Sequence, residues 1–89
     1  MRIDKFLKVS RLIKQRPRAK QLCDSGAVKV NNQQARAGRQ ICVGDEIQMI
    51  SGNRQTVARV LMVPTGNVSK KDAADLIEII DEKFLDETW

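Results

Sequence analysis

The 89-residue sequence contains no histidine and no tyrosine, and aromatic residues make up only 3% of it. Without histidine the chain lacks the most common general base of enzymes, and it contains neither a glycine-rich phosphate loop nor a nucleophile elbow. Two cysteines without any histidine cannot supply the four ligands of the usual zinc sites. We therefore expect a protein with no catalytic residues, no metal and no cofactor.

The scarcity of aromatic residues also excludes one kind of nucleic-acid-binding protein. Domains that read single strands stack several bases on the exposed rings of a sheet, and Phe6, Phe84 and Trp89 are the only rings available. No apolar run approaches about 18 residues, and the start of the chain lacks the apolar stretch of a signal peptide. These absences predict a cytoplasmic protein that does not contact membranes, with Cys23 and Cys42 as buried free thiols.

Acidic residues are scarce in only one part of the chain. Residues 1–65 contain thirteen Lys and Arg against four Asp and Glu, a balance of +9, whereas residues 66–89 contain three against seven, a balance of −4. Concentrated positive charge is the electrostatic signature of a nucleic-acid-binding domain, because a cation that contacts a phosphate releases a counterion. We expect one domain in which residues 1–65 bind RNA and residues 66–89 form an acidic helical extension packed on it.

Two helices are predicted near the start of the chain. The first is capped by Asp4 and runs to about Lys14. Pro17 favours the start of a second helix, and Gly26 can end that helix in a left-handed conformation. The pattern therefore predicts a tight helix-turn-helix.

The charged residues of this helix-turn-helix form the candidate RNA-binding surface. Lys5, Lys8 and Arg11 fall opposite the apolar side of the first helix, at the spacing of one exposed strip. Such a strip can also be a merely solvated face, but the lack of interleaved acids favours contact with phosphates. Further positive charge beside the strip comes from Lys14, Arg16, Arg18 and Lys20.

The rest of the chain is predicted to form a small, mostly antiparallel sheet and one more helix. Asn31 and Asn32 tolerate the positive φ angles of a tight hairpin turn. The predicted strands cover residues 27–30, 33–36, 46–50 and 54–63. A third, acidic helix of about 14 residues is predicted after Ser69, because Ala73, Ile77, Ile80 and Phe84 recur at helical spacing. The fold class is therefore α+β.

The order of these motifs resembles the RNA-binding domain named after ribosomal protein S-four. The resemblance covers about residues 1–50 and rests on four motifs taken together. They are Arg2-Ile3-Asp4-Lys5-Phe6-Leu7, the turn containing Arg16, Gly26-Ala27-Val28-Lys29-Val30-Asn31, and Val43-Gly44-Asp45-Glu46-Ile47. The resemblance implies the αL arrangement of that family, in which a basic helix-turn-helix packs on a small sheet.

The size of the chain narrows this resemblance to free-standing members of the family. The 39 residues after residue 50 are too few for the catalytic domain of a pseudouridine synthase or a tyrosyl-tRNA synthetase. The chain is most similar to the small factors of bacterial ribosome-associated quality control, which are related to heat-shock protein fifteen. That similarity implies binding to large-subunit ribosomal RNA and P-site tRNA on obstructed large subunits, beside a factor that elongates alanine tails. Separately from the similarity, we expect the chain to be a monomer.

The resemblance carries functional roles to five positions. They are Arg2, Asp4, Lys5, Arg11 and Arg16. Asp4 is interpreted as an N-cap and as an orienting partner for a nearby arginine, because a lone acid has no second carboxylate with which to share acid–base work. The chain departs from the family at Asn32, where Gly is common, and at Pro17, where Ser or Thr is common.

Three other functions remain open on the sequence. The chain can be a detached RNA-targeting module that recruits a modifying enzyme, or an RNA-binding factor of ribosome assembly or heat shock. It can also be a protein-interaction module that works through its acidic end. Association with large subunits carrying tRNA, with bare RNA, or with no RNA distinguishes these functions.

Overall fold

The computed structural model describes residues 1–65 and 68–84. Three helices and five strands follow one another as α1 (Ile3–Val9), α2 (Arg16–Asp24), β1 (Val28–Val30), β2 (Gln33–Gln34), β3 (Glu46–Ser51), β4 (Arg54–Val60), α3 (Lys70–Ala73) and β5 (Ile77–Phe84). A single 3₁₀ turn at Ala74–Leu76 links α3 to β5. The α+β class and the helix-turn-helix are confirmed.

The five strands form one antiparallel sheet in the order β2-β1-β3-β4-β5. Alternate residues of β3 and β4 are buried, which shows that one face of the sheet meets the helices and the other meets solvent. Among the residues that the structure describes, Phe6 from α1 is the one aromatic member of the core, and the other members are aliphatic except Cys23 and Met49. The helices contribute Ile3, Phe6, Leu7, Ala19 and Leu22 to this core, and the sheet contributes Val28, Val30, Ile47, Met49 and Val60.

The first helix ends earlier than its sequence predicts. It stops at Val9 rather than near Lys14, and Arg11 follows in the left-handed region at φ 64°. The Ser10 hydroxyl donates to the Leu7 carbonyl, and the N–H groups of Arg11 and Ile13 bond to the last helical carbonyls. The prediction of one helical strip through Arg11 is therefore wrong, because these bonds replace the helical ones and turn the chain.

The turn from α2 into the sheet depends on a glycine. Gly26 lies at φ +85°, as its sequence position predicts, and the Gln34 side chain closes over the place where a Cβ would stand. Any other residue would therefore be strained in its backbone and would displace Gln34. The helix start is also close to its prediction, since α2 begins at Arg16 and Pro17 is its second residue.

Hydrogen bonds join the hairpin turn at Asn31 and Asn32 to the turn that precedes β3. Asn31 and Asn32 both adopt positive φ, at 50° and 68°, as the hairpin prediction requires. The Asn31 side chain donates to Asp45 Oδ1 at 3.1 Å and accepts from the Glu46 N–H at 3.0 Å. The other oxygen of Asp45 accepts from the Cys42 N–H at 2.8 Å. Asparagine at the hairpin therefore fixes where β3 begins.

The predicted third helix is wrong over most of its length. Ser69 does accept a hydrogen bond from the Asp72 N–H at 3.2 Å, as a capping box requires, but α3 lasts only four residues. Residues 77–84 instead form β5 along the edge of β4, with a bulge opposite Val57 and Ala58. Pairing with β4 gives β5 backbone hydrogen bonds along one side and completes those of β4, and β-branched Ile77, Ile79 and Ile80 favour an extended chain. The described part of the acidic extension therefore contains a short helix, a 3₁₀ turn and an eight-residue strand instead of one long helix. Its residues 66, 67 and 85–89 lie outside the described residues.

Membrane-spanning helices are absent from the described parts of the chain. The longest helix there, α2, has nine residues, against the roughly 20 that cross a bilayer. No helix in these parts is long and apolar enough to cross a membrane.

The two cysteines lie in different surroundings. Cys23 is buried at the end of α2, as predicted, whereas Cys42 is exposed in the loop before β3, which corrects the prediction of two buried thiols. Burial, together with the negative charges of Asp4 and Asp24, raises the pKa of the Cys23 thiol from 9.0 to about 11. The thiolate is the reactive form, so Cys23 is protected both sterically and chemically.

We expect the two thiols to differ in their reaction with a thiol reagent. In the folded protein at pH 8, Cys42 reacts at once and Cys23 reacts only as the protein unfolds; in urea both react. Because the folded pKa of Cys23 is raised, its contribution to stability is complete below about pH 9 and is lost as the pH rises from 9 towards about 11. Equal reaction rates of both thiols in the native protein would contradict the burial of Cys23.

The left-handed conformation of Arg11 predicts a stabilising substitution. This conformation costs a non-glycine residue about 1–2 kcal/mol, while glycine adds some entropy to the unfolded chain. Arg11→Gly should therefore raise the free energy of unfolding by about 0.5–1 kcal/mol, and Tm by about 3–6 °C. Lys20→Gly removes the same charge from inside α2 and should lower stability. If thermal melts show that both variants lose stability equally, Arg11 does not adopt the left-handed conformation.

Candidate nucleic-acid interface

A buried carboxylate lies between two arginines at the junction of the two helices. Asp4 is only 2% exposed, and its Oδ1 accepts a hydrogen bond from the Lys5 N–H at 2.8 Å. Arg2 Nε lies 3.3 Å from Asp4 Oδ1, and Arg16 Nε lies 3.4 Å from Asp4 Oδ2. The side chains of both arginines remain about half exposed. Asp4 therefore orients two guanidinium groups towards solvent, while their charges compensate its own.

Asp4 does not have the N-cap role that the sequence predicts. The N-cap of α1 is Arg2, and Asp4 is the second residue of the helix. The helix start is capped by a loop instead: the N–H of Ile3 bonds to the Arg39 carbonyl at 2.8 Å, and the N–H of Asp4 bonds to the Ala37 carbonyl at 3.3 Å. Because these carbonyls satisfy the first N–H groups, the Asp4 side chain is left to hold arginines.

Arg16 joins this site from the second helix. It is the first residue of α2, and the N-cap residue before it, Gln15, makes no side-chain capping bond. The first N–H groups of a helix carry partial positive charge and bind anions well. Arg16, Pro17 and Arg18 are exposed there. The guanidinium held by Asp4 and the start of α2 therefore present positive charge in one place.

The other candidate cations lie on the same two helices and in the turn between them. Asp4 and Asp24 are the only acids in the first 44 residues, so the surface of the two helices carries almost uncompensated positive charge. Two cations lie on α1, two in the turn between the helices and two further along α2. All six are exposed: Lys5, Lys8, Arg11, Lys14, Arg18 and Lys20. Arg11 is separated from the helical strip because it lies beyond the end of α1.

Sequence reasoning did not select the cations of the loop that caps α1. Arg39 is half-buried in that loop, and its carbonyl bonds to the residue after Arg2. Arg36 is exposed in the same loop, beside Cys23 and the end of α2. Their positive charge was visible in the sequence, but the position of Arg39 beside α1 depends on a contact between residues 36 positions apart. The loop therefore extends the basic surface past Arg2.

Known proteins resemble this chain over nearly its whole length. The S4 domain, named after ribosomal protein S-four, matches residues 1–47. The RQC P-site tRNA stabilizing factor of Streptococcus pneumoniae is 40% identical over 87 residues, which cover 98% of each chain. The protein of the same name from Bacillus subtilis is 39% identical over 87 residues, covering 98% of this chain and all of that one. The resemblance found from the motifs is confirmed.

A solved structure shows the same fold. Heat Shock Protein 15 of Vibrio cholerae, solved as a trimer, matches 89% of this chain and 80% of its own with a TM-score of 0.81. Its identity of 23% supports the likeness of fold alone. The match covers more of the chain than the S4 domain does, so the strands after residue 47 also follow a known arrangement.

If Asp4 orients the two arginines, removing its negative charge should weaken RNA binding even though the protein becomes more positive. Asp4→Asn adds one unit of positive charge but removes the charge that orients Arg2 and Arg16. We expect its affinity for structured RNA to fall about fivefold, or about 1 kcal/mol, although net charge alone would raise it. Fluorescence anisotropy with a labelled RNA hairpin measures the change.

Asp24→Asn is the matched control, since it makes the same change of charge at an exposed residue on the last turn of α2. It should bind RNA as tightly as the unaltered protein or slightly more tightly. If Asp4→Asn also binds more tightly, the two arginines act only through their net charge and Asp4 does not orient them.

Proposed function

The chain belongs to the S4 domain family and to the family of RQC P-site tRNA stabilizing factors, and we propose that it binds large-subunit ribosomal RNA together with P-site tRNA on obstructed large ribosomal subunits. The proposal assigns the contact to the basic surface of α1, α2 and the turn between them. Its residues are Arg2, Lys5, Lys8, Arg11, Lys14, Arg16, Arg18 and Lys20.

The observation that carries this proposal is the pair of arginines oriented by Asp4. A guanidinium can clasp a phosphate with two parallel N–H groups, and that geometry requires a fixed plane. Asp4 holds Arg2 and Arg16 on either side of one buried carboxylate, so the distance between the two guanidinium groups is set before RNA arrives. A surface prepared in this way fits two neighbouring phosphates of folded RNA better than flexible lysines do.

The action we propose is binding without catalysis. The chain has no histidine, and the one buried carboxylate among the residues that the structure describes is paired with arginines rather than with a second acid. Through its contacts the protein would hold a tRNA on the large subunit while a separate factor adds the alanine tail. We propose that it acts as a monomer.

Co-sedimentation with ribosomal subunits tests the function. The protein is mixed with large subunits carrying peptidyl-tRNA, with vacant large subunits, and with small subunits. We expect the tightest association with the first, weaker association with the second, and none with the third. Equal association with all three would show only unspecific attraction between a basic protein and RNA, and would overturn the proposal.

Arg16 is expected to contribute more to this binding than any other single charge. Arg16→Lys keeps the charge but loses the two-pronged contact, so binding to large subunits with peptidyl-tRNA should weaken by about 1 kcal/mol. Arg16→Ala should weaken it more and should also lower Tm, because the buried Asp4 then keeps only one of its two arginine partners. Arg59→Ala is the control, because Arg59 is exposed on β4 and pairs with Glu78. Arg16→Ala binding as tightly as Arg59→Ala would contradict this placement of the site.

A further inference from the structure

An open groove lies between the helix-to-helix turn and the outer part of the sheet. The helices cover β1, β3 and the end of β4, but they do not reach the other half of the β4–β5 pair. The segment Ser10–Lys14 passes over this half and leaves a groove of about 590 Å³. Small-molecule sites have volumes of roughly 300–1,000 Å³. The groove is therefore large enough to hold a small group.

The floor of the groove is mainly apolar, with one buried threonine, and ends at an exposed aromatic ring. Met49 and Thr56 are buried beneath it, whereas Ile79 is 47% exposed. Phe84, the last residue of β5, lies at the end of the groove and is 70% exposed. Cross-strand pairing of Ser51 with Arg54, and of Arg54 with Phe84, places all three on the face of the sheet that the groove follows. A flat apolar ring therefore faces solvent at the end of the groove.

The rim of the groove is positively charged. Arg11 and Lys14 line it from the turn, and both are exposed. Arg54 lines it from the sheet and pairs with Glu82 at 2.7 Å, so these four residues carry a net charge of +2. The left-handed conformation of Arg11 ends α1 and brings the chain over the sheet. The groove thus combines an apolar floor with cations that favour an anionic ligand.

We propose that this groove binds one unpaired nucleotide of the RNA held by the basic surface. The base would stack on Phe84 and cover Ile79, and the phosphates beside it would contact Arg11 and Lys14. Recognition of RNA commonly uses unpaired bases that stack on aromatic side chains. The inference rests on the proposed function, because it adds a base-binding site to a surface that otherwise contacts phosphates.

Charge and continuity favour a nucleotide over other occupants. Arg11 and Lys14 belong both to the groove and to the basic surface, so an RNA chain that crosses the turn passes the groove. A second copy of the protein would bring its own basic turn close to this one, and like charges would oppose the contact. A neutral apolar segment of another protein would leave the positive rim without a partner.

Two RNA hairpins with the same stem test the site. One carries a single bulged 2-aminopurine, and the other carries 2-aminopurine fully paired within the stem. We expect the protein to bind the bulged hairpin about tenfold more tightly, and to change its fluorescence, since one stacked base contributes about that factor. The fully paired hairpin measures the contribution of the basic surface alone.

Variants of Phe84 separate stacking from general binding. Phe84→Ala should remove the preference for the bulge while leaving affinity for the paired hairpin unchanged, and Phe84→Trp should retain the preference. Ile80→Ala is the matched control, because Ile80 is 41% exposed on the same strand and does not line the groove. Thermal melts of the three variants confirm that each is folded, as expected at exposed positions.

The possible outcomes distinguish a failure of the nucleotide site from a failure of the proposed function. Equal binding of both hairpins by the unaltered protein overturns the nucleotide site and leaves RNA binding intact. A bulge preference that survives Phe84→Ala also overturns it, because the base then stacks elsewhere. Self-association that depends on Phe84, without a bulge preference, assigns the groove to a second copy. Failure to bind either hairpin or the large subunit overturns both proposals.

Discussion

The buried carboxylate of Asp4 is the interaction on which the basic surface depends. A carboxylate that is 2% exposed costs several kcal/mol unless opposite charges and hydrogen bonds compensate it. Arg2 before α1, Arg16 at the start of α2, and the Lys5 N–H supply that compensation. The loop that caps α1 leaves Asp4 available for this role. One charge inside the protein therefore fixes the relative position of two charges on its surface.

The acidic end of the chain strengthens this surface indirectly. Glu78 and Glu82 of β5 pair with Arg59 and Arg54 of β4, at 3.5 and 2.7 Å. These pairs are exposed and contribute little stability, but they neutralise cations of the sheet. The two basic helices, α1 and α2, contain only Asp4 and Asp24 as acids. The remaining positive charge is therefore concentrated on the helices, where a polyanion experiences the strongest attraction.

The residues of the candidate site were largely predictable from the sequence, but their arrangement in space was not. The sequence identified the candidate cations, the two helices and the resemblance to the S4 domain, because charge and periodicity are local. It did not show that Arg11 leaves the strip of Lys5 and Lys8, since Arg11 lacks the usual glycine signal for the end of a helix. Nor could it place Arg39 beside Arg2, because a loop that is distant in the chain makes that contact.

The sequence by itself determined the features that depend on neighbouring residues. These are the excess of positive charge in residues 1–65, the hairpin at Asn31 and Asn32, and the turn at Gly26, because a side chain and its own backbone settle each of them. Tertiary structure decided whether residues 77–84 are helix or strand, because the open edge of β4 offered hydrogen bonds that local propensity does not include. It also decided that Asp4 is buried between two arginines, since that arrangement requires both helices to pack first.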